Sequence, residues 1–340
     1  MAASLYQQED QSTEVWVFLE HQDDLFENIS LELLGKGRQL ADELGWQLTG
    51  LLLGSRVSKL ADQAIAHQAD RVWMVEHPLL ERFTVDAYAH AAYQSILKGK
   101  PGIFLLGATH DGRDLAARLA VRLRTGLNAD CTDLRIDPST GVMISEVSGF
   151  GGGVLALIEM QHHRPQMATV RPGVFPILKE APDHVGEKIP FPVQIQQEMI
   201  RTRVIERSVS ASIDLTQTPV LVAGGRGVAA DLAQLQELAE MLGGEVGATR
   251  PLVDMGIIDR ERQIGQTGVT CSPKIAICCG ISGAFHFIVG VEKAGTVIAI
   301  NSDPKAPIFD NADYCVIGDA QKILPALAAA LKRDTEGVRG

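Results

Sequence analysis

Aromatic side chains make up only 5% of the 340 residues, and cysteine is scarce too, with five residues and no CxxC spacing. So few aromatic rings leave Ala, Val, Ile and Leu to build the core, as is usual in α/β folds. Without paired cysteine spacing a structural zinc site has no ligand set. The odd count of Cys131, Cys271, Cys278, Cys279 and Cys315, all in apolar surroundings, reads as reduced thiols filling small core positions. Positive charge is also short. Lys and Arg number 31 against 42 Asp and Glu, a formal charge of −11, which argues against a nucleic-acid partner. The longest uncharged apolar run, Ile275 to Val291, has 17 residues and is broken by Gly280, Ser282, Gly283 and His286. A helix needs about 20 to cross a bilayer, so no membrane insertion is expected. Met1 to Asp10 lacks a basic segment followed by an apolar one, so no signal peptide is expected and the reading is cytoplasmic. The GxSxG, HExxH and GxxxxGKS/T patterns are absent. His162-His163 lacks a third ligand nearby, and adjacent side chains on a strand point apart, so no metal is assigned.

What is present is glycine, 33 residues, and a hydrophobic fraction of 46% with 21% charged residues, enough for a buried core. The length fits two domains. Extended runs at Val15–Leu19, Leu48–Leu53, Val72–Val75 and Ile103–Leu106 alternate with helical spacing at Ile29–Leu44, Val57–Ala66, Val85–Leu97 and Asp114–Leu123. That alternation predicts a mainly parallel sheet with helices on its faces. Short strands follow at Thr132–Asp137, Gly141–Val147, Val154–Met160 and Ala168–Arg171, with turns at Asp137-Pro138 and Gly149 to Gly153. The stretch from Leu178 to Thr218 is irregular and holds the linker, assigned to residues 206–218 after an α/β domain of residues 1–205. Alternation then restarts over 219–332: strands at Val220–Ala223, Ile275–Cys279, Thr296–Ile300 and Tyr314–Ile317, and helices at Ala229–Leu242 and Lys322–Lys332. Residues 333–340 form a polar tail.

Four loops carry candidate chemistry. Gly225-Arg226-Gly227-Val228-Ala229-Ala230 follows a strand and opens a helix, matching GxGxxA, with Glu245 twenty residues beyond Gly225 as a ribose acceptor. This suggests a nicotinamide dehydrogenase, although Glu245 follows a Gly-Gly pair and closes no clear second strand. Arg226, a fixed cation beside loop N–H groups, suits a pyrophosphate. Thr249-Arg250 and Gly265-Gln266-Thr267-Gly268 crowd donors into glycine-flanked loops that suit a heteroaromatic ring; the plainer alternative pairs Arg250 with Asp254 or Asp259. Gly280-Ile281-Ser282-Gly283-Ala284-Phe285-His286 places Ser282 as a helix N-cap. Asn301 and Asp319 stand at two further strand ends, where open sheets bind ligands; singly, each is more often a turn or capping residue.

These residues in order, Val222 to Gly227, Gly247 to Arg250, Ile264 to Gly268, Gly280 to Ala284 and Ile300 to Phe309, resemble the alpha subunit of electron-transferring flavoprotein. The likeness extends to Gly107-Ala108-Thr109-His110-Asp111-Gly112-Arg113-Asp114-Leu115 and Thr125 to Cys131, and is nearest to anaerobic bacterial subunits, many of them electron-bifurcating. The resemblance implies two Rossmann-like parallel-sheet domains, the N-terminal one packing on a beta subunit and the C-terminal one holding FAD. It also implies electron transfer between a dehydrogenase, typically for acyl-CoA, and another redox partner. Carried onto this chain, the FAD contacts are Arg226, Thr249, Arg250, Ile264, Gly265, Gln266, Thr267, Ser282, Gly283, Ala284, Phe285, His286, Phe287, Asn301, Asp319 and Ala320. Among them Arg250, Thr267 and His286 tune the redox potential. The GxGxxA loop thereby passes from NAD to FAD. One departure stands out: His286-Phe287 occupies the place of a Gln-His pair, so the His comes one position early.

Overall fold

Apolar runs of five to eight residues between polar turns bury both faces when they become central parallel strands, and this rule builds both halves of the chain. The computed structural model describes residues 5–6, 8–149, 154–205, 215–229 and 231–337. The chain divides into two units, Met1–Arg207 and Ser208–Gly340.

The first unit contains β1 (Ser12–Phe18), a small hairpin of β2 (His21–Gln22) and β3 (Leu25–Phe26), α1 (Asn28–Leu44), β4 (Gln47–Gly54), α2 (Ser58–Ala66), β5 (Arg71–Glu76), α3 (Val85–Gly99), β6 (Pro101–Gly107) and α4 (His110–Leu123). It continues with β7 (Leu127–Cys131), β8 (Asp133–Ile136), β9 (Met143–Gly149), β10 (Val154–Glu159), β11 (Gln166–Val170) and β12 (Glu187–Pro190). Seven parallel strands form one sheet in the order β12-β5-β4-β1-β6-β11-β7, and β8, β9 and β10 form an antiparallel one. Side chains alternate along β1: Val15 and Val17 meet α1 and α2, whereas Trp16 and Phe18 meet α3 and α4. Two core layers result, one on each face.

Two strands of the seven-stranded sheet escape the sequence reading. Leu127–Cys131 is half polar, and Glu187–Pro190 lies inside the stretch read as irregular, where Pro190 and Pro192 mask the signal. β12 pairs with β5 at the sheet edge, where a missing proline N–H is tolerated. Beyond it Phe191 stacks on Trp73 at 5.0 Å, and Val193, Ile195 and Ile200 join the core. The irregular stretch is therefore part of the first unit through at least Ile200. Of the assigned linker, residues 206–214 lie outside the described residues, as do residues 150–153 of the glycine turn.

The second unit contains β13 (Val220–Gly224), α5 (Ala233–Met241), β14 (Glu245–Ala248), α6 (Arg250–Asp254), β15 (Ile275–Cys279), α7 (Phe285–Ile288), β16 (Val297–Asn301), β17 (Tyr314–Ile317) and α8 (Ala320–Gly337). Its five parallel strands run β14-β13-β15-β16-β17. Leu221, Ala223, Ala276 and Cys278 face one core layer, and Val222, Ile277 and Cys279 face the layer under α5 and α8. Three expectations change here. The helix after the GxGxxA loop begins at Ala233, after a 3-10 turn at Arg226–Val228. α8 runs past Lys332 to Gly337, so the start of the polar tail is helical. Cys315 is exposed on the edge strand β17, unlike the four buried cysteines.

Glu20 follows β1 and is 8% exposed. Burial raises its carboxyl to about 7, against the opposing pull of the Thr109 hydroxyl and the Gly107 backbone. The neighbouring Asp111 and Glu27 charges push the same way as burial. Its folded value thus lies above the ordinary 4.5, and the folded chain keeps a proton that the unfolded chain has lost. The penalty is absent below pH 4.5, grows between 4.5 and 7 and is complete above 7. Denaturant unfolding of the first unit should therefore show stability falling by roughly 3 kcal/mol across that window, and Glu20→Gln should flatten the dependence. An unchanged pH profile in the variant would remove Glu20 as the cause.

Candidate functional site

Parallel strands put all their carboxyl ends on one edge, and five strands spaced by about 4.8 Å make the edge of the second sheet roughly 19 Å long. From β13 the chain goes outward to β14 on one side, and β15, β16 and β17 add on the other. The crevice between β13 and β15 is the switch point, where open α/β sheets receive ligands.

The loops are held to this edge by a row of backbone hydrogen bonds that continues the strand ladder by one residue. Thr249 N–H donates to Gly224 O at 3.0 Å, Gly225 N–H to Cys279 O at 2.9 Å, Gly280 N–H to Ile300 O at 2.9 Å and Gly318 N–H to Asn301 O at 2.9 Å. At the switch point Gly227 N–H donates to Gly280 O at 3.1 Å. The two loops approach so closely that a Cβ on Gly225 would collide with the Gly280 carbonyl. Glycine is needed there for contact between backbones.

Along the edge the predicted residues appear in the order Thr249 and Arg250, Arg226, Ser282, Asn301, Asp319. Arg226, Arg250, Ser282, Ala284 and Asp319 are exposed, and Thr249, Phe285 and Asn301 are half-buried. A second group comes from a turn stitched to α7. Gln266 N–H donates to His286 O at 2.7 Å, and His286 Nδ1 lies 2.7 Å from Gln266 Oε1. An amide oxygen only accepts, so Nδ1 carries a proton, and in the neutral ring Nε2 is left as an acceptor. Thr267 Oγ1 accepts from Gln263 Nε2 at 2.9 Å, which leaves the Thr267 O–H to donate elsewhere. Gln263, 6% exposed, was missed by sequence reasoning because nothing in its own spacing marks it.

The structure separates edge residues from supporting ones. Ile264 and Phe287 are 2% and 4% exposed and belong to the core layer beneath the loops, and Ala320 belongs to the opposite layer. Their side chains turn inward, away from the edge. Asn301 organises the loop after β16: its Nδ2 donates to Ile281 O at 2.7 Å and its Oδ1 accepts from Asp303 N–H at 2.9 Å. Asp319 caps α8, its Oδ1 accepting from Gln321 N–H at 3.1 Å. Ser282 is not an N-cap. α7 is a single turn that starts at Phe285 after Ala284, because the Ser282 carbonyl is engaged by Ile308 N–H at 3.0 Å. Arg250 Nε pairs with Asp254 Oδ2 at 3.2 Å, the plainer alternative. Both side chains are more than half exposed, so the pair is worth at most about 1 kcal/mol and breaks easily. Glu245 opens β14 and pairs with Arg262 at 3.3 Å. Beneath the crevice, burial pushes the Cys278 thiol up to about 12 and raises Cys279 as well, so neither supplies a thiolate at neutral pH.

Residues 15–191 match the electron transfer flavoprotein domain, and residues 214–292 match the electron transfer flavoprotein FAD-binding domain. Over 324 residues the chain is 41% identical to the electron transfer flavoprotein subunit alpha of Thermoanaerobacterium thermosaccharolyticum, covering 94% of this chain and 98% of that one. It is 43% identical over 323 residues to protein FixB of Clostridium saccharobutylicum, with 94% and 96% covered. It is 37% identical over 350 residues to the acryloyl-CoA reductase electron transfer subunit beta of Anaerotignum propionicum, with 94% and 95% covered. Among the described residues no helix is long and apolar enough to cross a membrane.

Gly283 sits at φ +88, and a Cβ there would collide with the Ile308 backbone. Gly283→Ala should destabilise the second unit by about 1–3 kcal/mol in denaturant titration. Unchanged stability would mean that the loop is free to rearrange.

Proposed function

The chain belongs to the electron transfer flavoprotein family as an alpha-type subunit, and we propose that it pairs with a beta subunit and uses the edge of its second sheet to hold FAD. In that heterodimer it passes electrons between a dehydrogenase and another redox partner. The observation that carries the reading is the switch-point crevice itself. Backbone meets backbone there through Gly225, Gly227 and Gly280, and small or donor side chains, Arg226, Ser282, Ala284 and Thr267, are left exposed around it. This donor set fits a dinucleotide: a cation and loop N–H groups for a pyrophosphate, hydroxyls and an imidazole for ring heteroatoms.

The family's domain match assigns FAD to this unit. The nicotinamide alternative finds no support, because the Gly225-Arg226-Gly227 loop lies within residues 214–292 and Glu245, its ribose acceptor, is paired with Arg262. An acyl-CoA dehydrogenase as electron donor accords with the relative named as an electron transfer subunit of acryloyl-CoA reductase.

When bound, FAD supplies the one- and two-electron chemistry, and the protein supplies position and electrostatics. Arg226 would hold the pyrophosphate. Arg250, released from Asp254 at small cost, would set positive charge against the negative charge of a reduced flavin, raising its potential. Thr267 offers a hydroxyl donor, and His286 an Nε2 whose orientation Gln266 fixes. No general base is required. Asn301 and Asp319 act here through the loops they organise.

Co-expression with the beta subunit should yield yellow protein with flavin bands; colourless protein that binds NAD would overturn the assignment. A flavin count then separates a simple carrier, with one FAD per heterodimer, from a bifurcating complex with two. Arg250→Ala should lower the two-electron potential by roughly 30 mV, the equivalent of about 1.4 kcal/mol. His286→Ala should give a smaller shift. A potential unmoved by Arg250→Ala would eliminate that residue's redox role.

A further inference from the structure

A glutamine 6% exposed, followed by the core residue Ile264, is a costly occupant of its position. A buried amide must be hydrogen-bonded to offset its loss of water, and methionine, of the same length, would fill the space without that demand. Gln263 opens the turn that carries Gln266 and Thr267, and its backbone is held on both sides: its N–H donates to Arg260 O at 3.0 Å, and its carbonyl accepts from Val269 N–H at 2.7 Å. Ile264 N–H donates to Ala248 O at 2.8 Å, which ties the same segment to the end of β14. Gly268 N–H closes the turn on Gly265 O at 2.9 Å. The Gln263 side chain runs against Gly268, where a Cβ would collide with the Gln263 carbonyl and come within 3.0 Å of its Cγ. So confined, the amide ends at Thr267.

It meets the Thr267 hydroxyl with its donor side. Gln263 Nε2 donates to Thr267 Oγ1 at 2.9 Å. A hydroxyl has one proton to give and two lone pairs with which to accept. With one lone pair engaged from the buried side, the O–H turns away from Gln263, and Thr267 is exposed, so its proton points out of the turn. Among the described residues no other hydrogen bond engages the Thr267 side chain. The accepted hydrogen bond also polarises the hydroxyl and makes it the stronger donor. A ring that gains electrons gains negative charge on its heteroatoms, so a donor already held in this orientation favours the reduced ring over the oxidised one.

We propose that Gln263 is a positioning residue: its buried amide fixes the Thr267 hydroxyl as a donor to the flavin ring and thereby raises the cofactor's potential. The inference rests on the FAD reading given above. The test is the midpoint potential of the heterodimer, purified with FAD bound, in Gln263→Met, Gln263→Glu, Thr267→Val and the two double variants. Gln263→Met keeps the length and loses the donor; it is expected to shift the balance of reduced to oxidised flavin about fivefold toward oxidised, equivalent to about 20 mV in a two-electron potential. Gln263→Glu offers a carboxylate that only accepts and so draws the Thr267 proton inward; its shift should exceed that of Gln263→Met. Combined with Thr267→Val, Gln263→Met should have no further effect, and Gln263→Glu should lose the part that depends on the hydroxyl. Flavin content and the unfolding midpoint check the fold, and where one variant loses its flavin the other supplies the same comparison. A potential indifferent to both variants, an effect that persists in full beside Thr267→Val, or loss of flavin from both variants would each overturn the proposal, the last two by making the amide a structural support only. A wild-type heterodimer without flavin would instead overturn the cofactor reading on which the inference stands.

Discussion

Backbone contact between the loops after β13 and β15 is the constraint on which the proposed cofactor site depends. Gly225, Gly227 and Gly280 let two strand ends meet without side chains between them, and the Gly227 to Gly280 hydrogen bond locks the contact. With that crevice closed at its base, the loops after β13, β14, β15 and β17 are registered along one edge by single hydrogen bonds to neighbouring strands. Polar side chains from segments as distant as Arg226 and Asp319 thus share a surface. None of them needs a long helix to be placed there, and α6 and α7 are accordingly short.

The two units handle the same topological feature in opposite ways. Both sheets are parallel and both have a switch point. In the second unit it is left to glycine backbone and an exposed arginine, an arrangement that welcomes an anion. In the first it is occupied by the Glu20 carboxyl group, which accepts a hydrogen bond from the hydroxyl of Thr109, the residue that caps α4. Parallel-sheet geometry creates the same opening in each case, and the side chains placed at it differ.

Electrostatic roles follow exposure more closely than residue type. Arg250 and Arg171 are both paired arginines. Arg171 is buried against Asp130 at 2.7 Å and belongs to the architecture, whereas Arg250 forms an exposed pair that a stronger anion can displace. His286 has its Nδ1 turned to Gln266 Oε1, a neighbour from a different loop.

The alternation of apolar runs with helical spacing was enough to read two parallel α/β units, because a strand buried on both faces is continuously apolar and a covering helix is not. Val15–Leu19 and Ile29–Leu44 fall almost on β1 and α1. Signals fail where edge strands are short or interrupted by proline, as in β7, β12 and β14, since four or five residues are too few to establish an alternation. The glycine loops and their donor residues were also legible, since backbone freedom and side-chain chemistry are properties of single residues. Which of those residues reach the edge was decided only by tertiary structure. Phe287 and Ile264 turn into the core, Ser282 gives up its capping place, and Gln263 and Glu20 acquire roles because partners distant in sequence fold against them. A sequence fixes what each residue can donate, accept or bury, and only the packed chain determines which neighbour takes up that capacity.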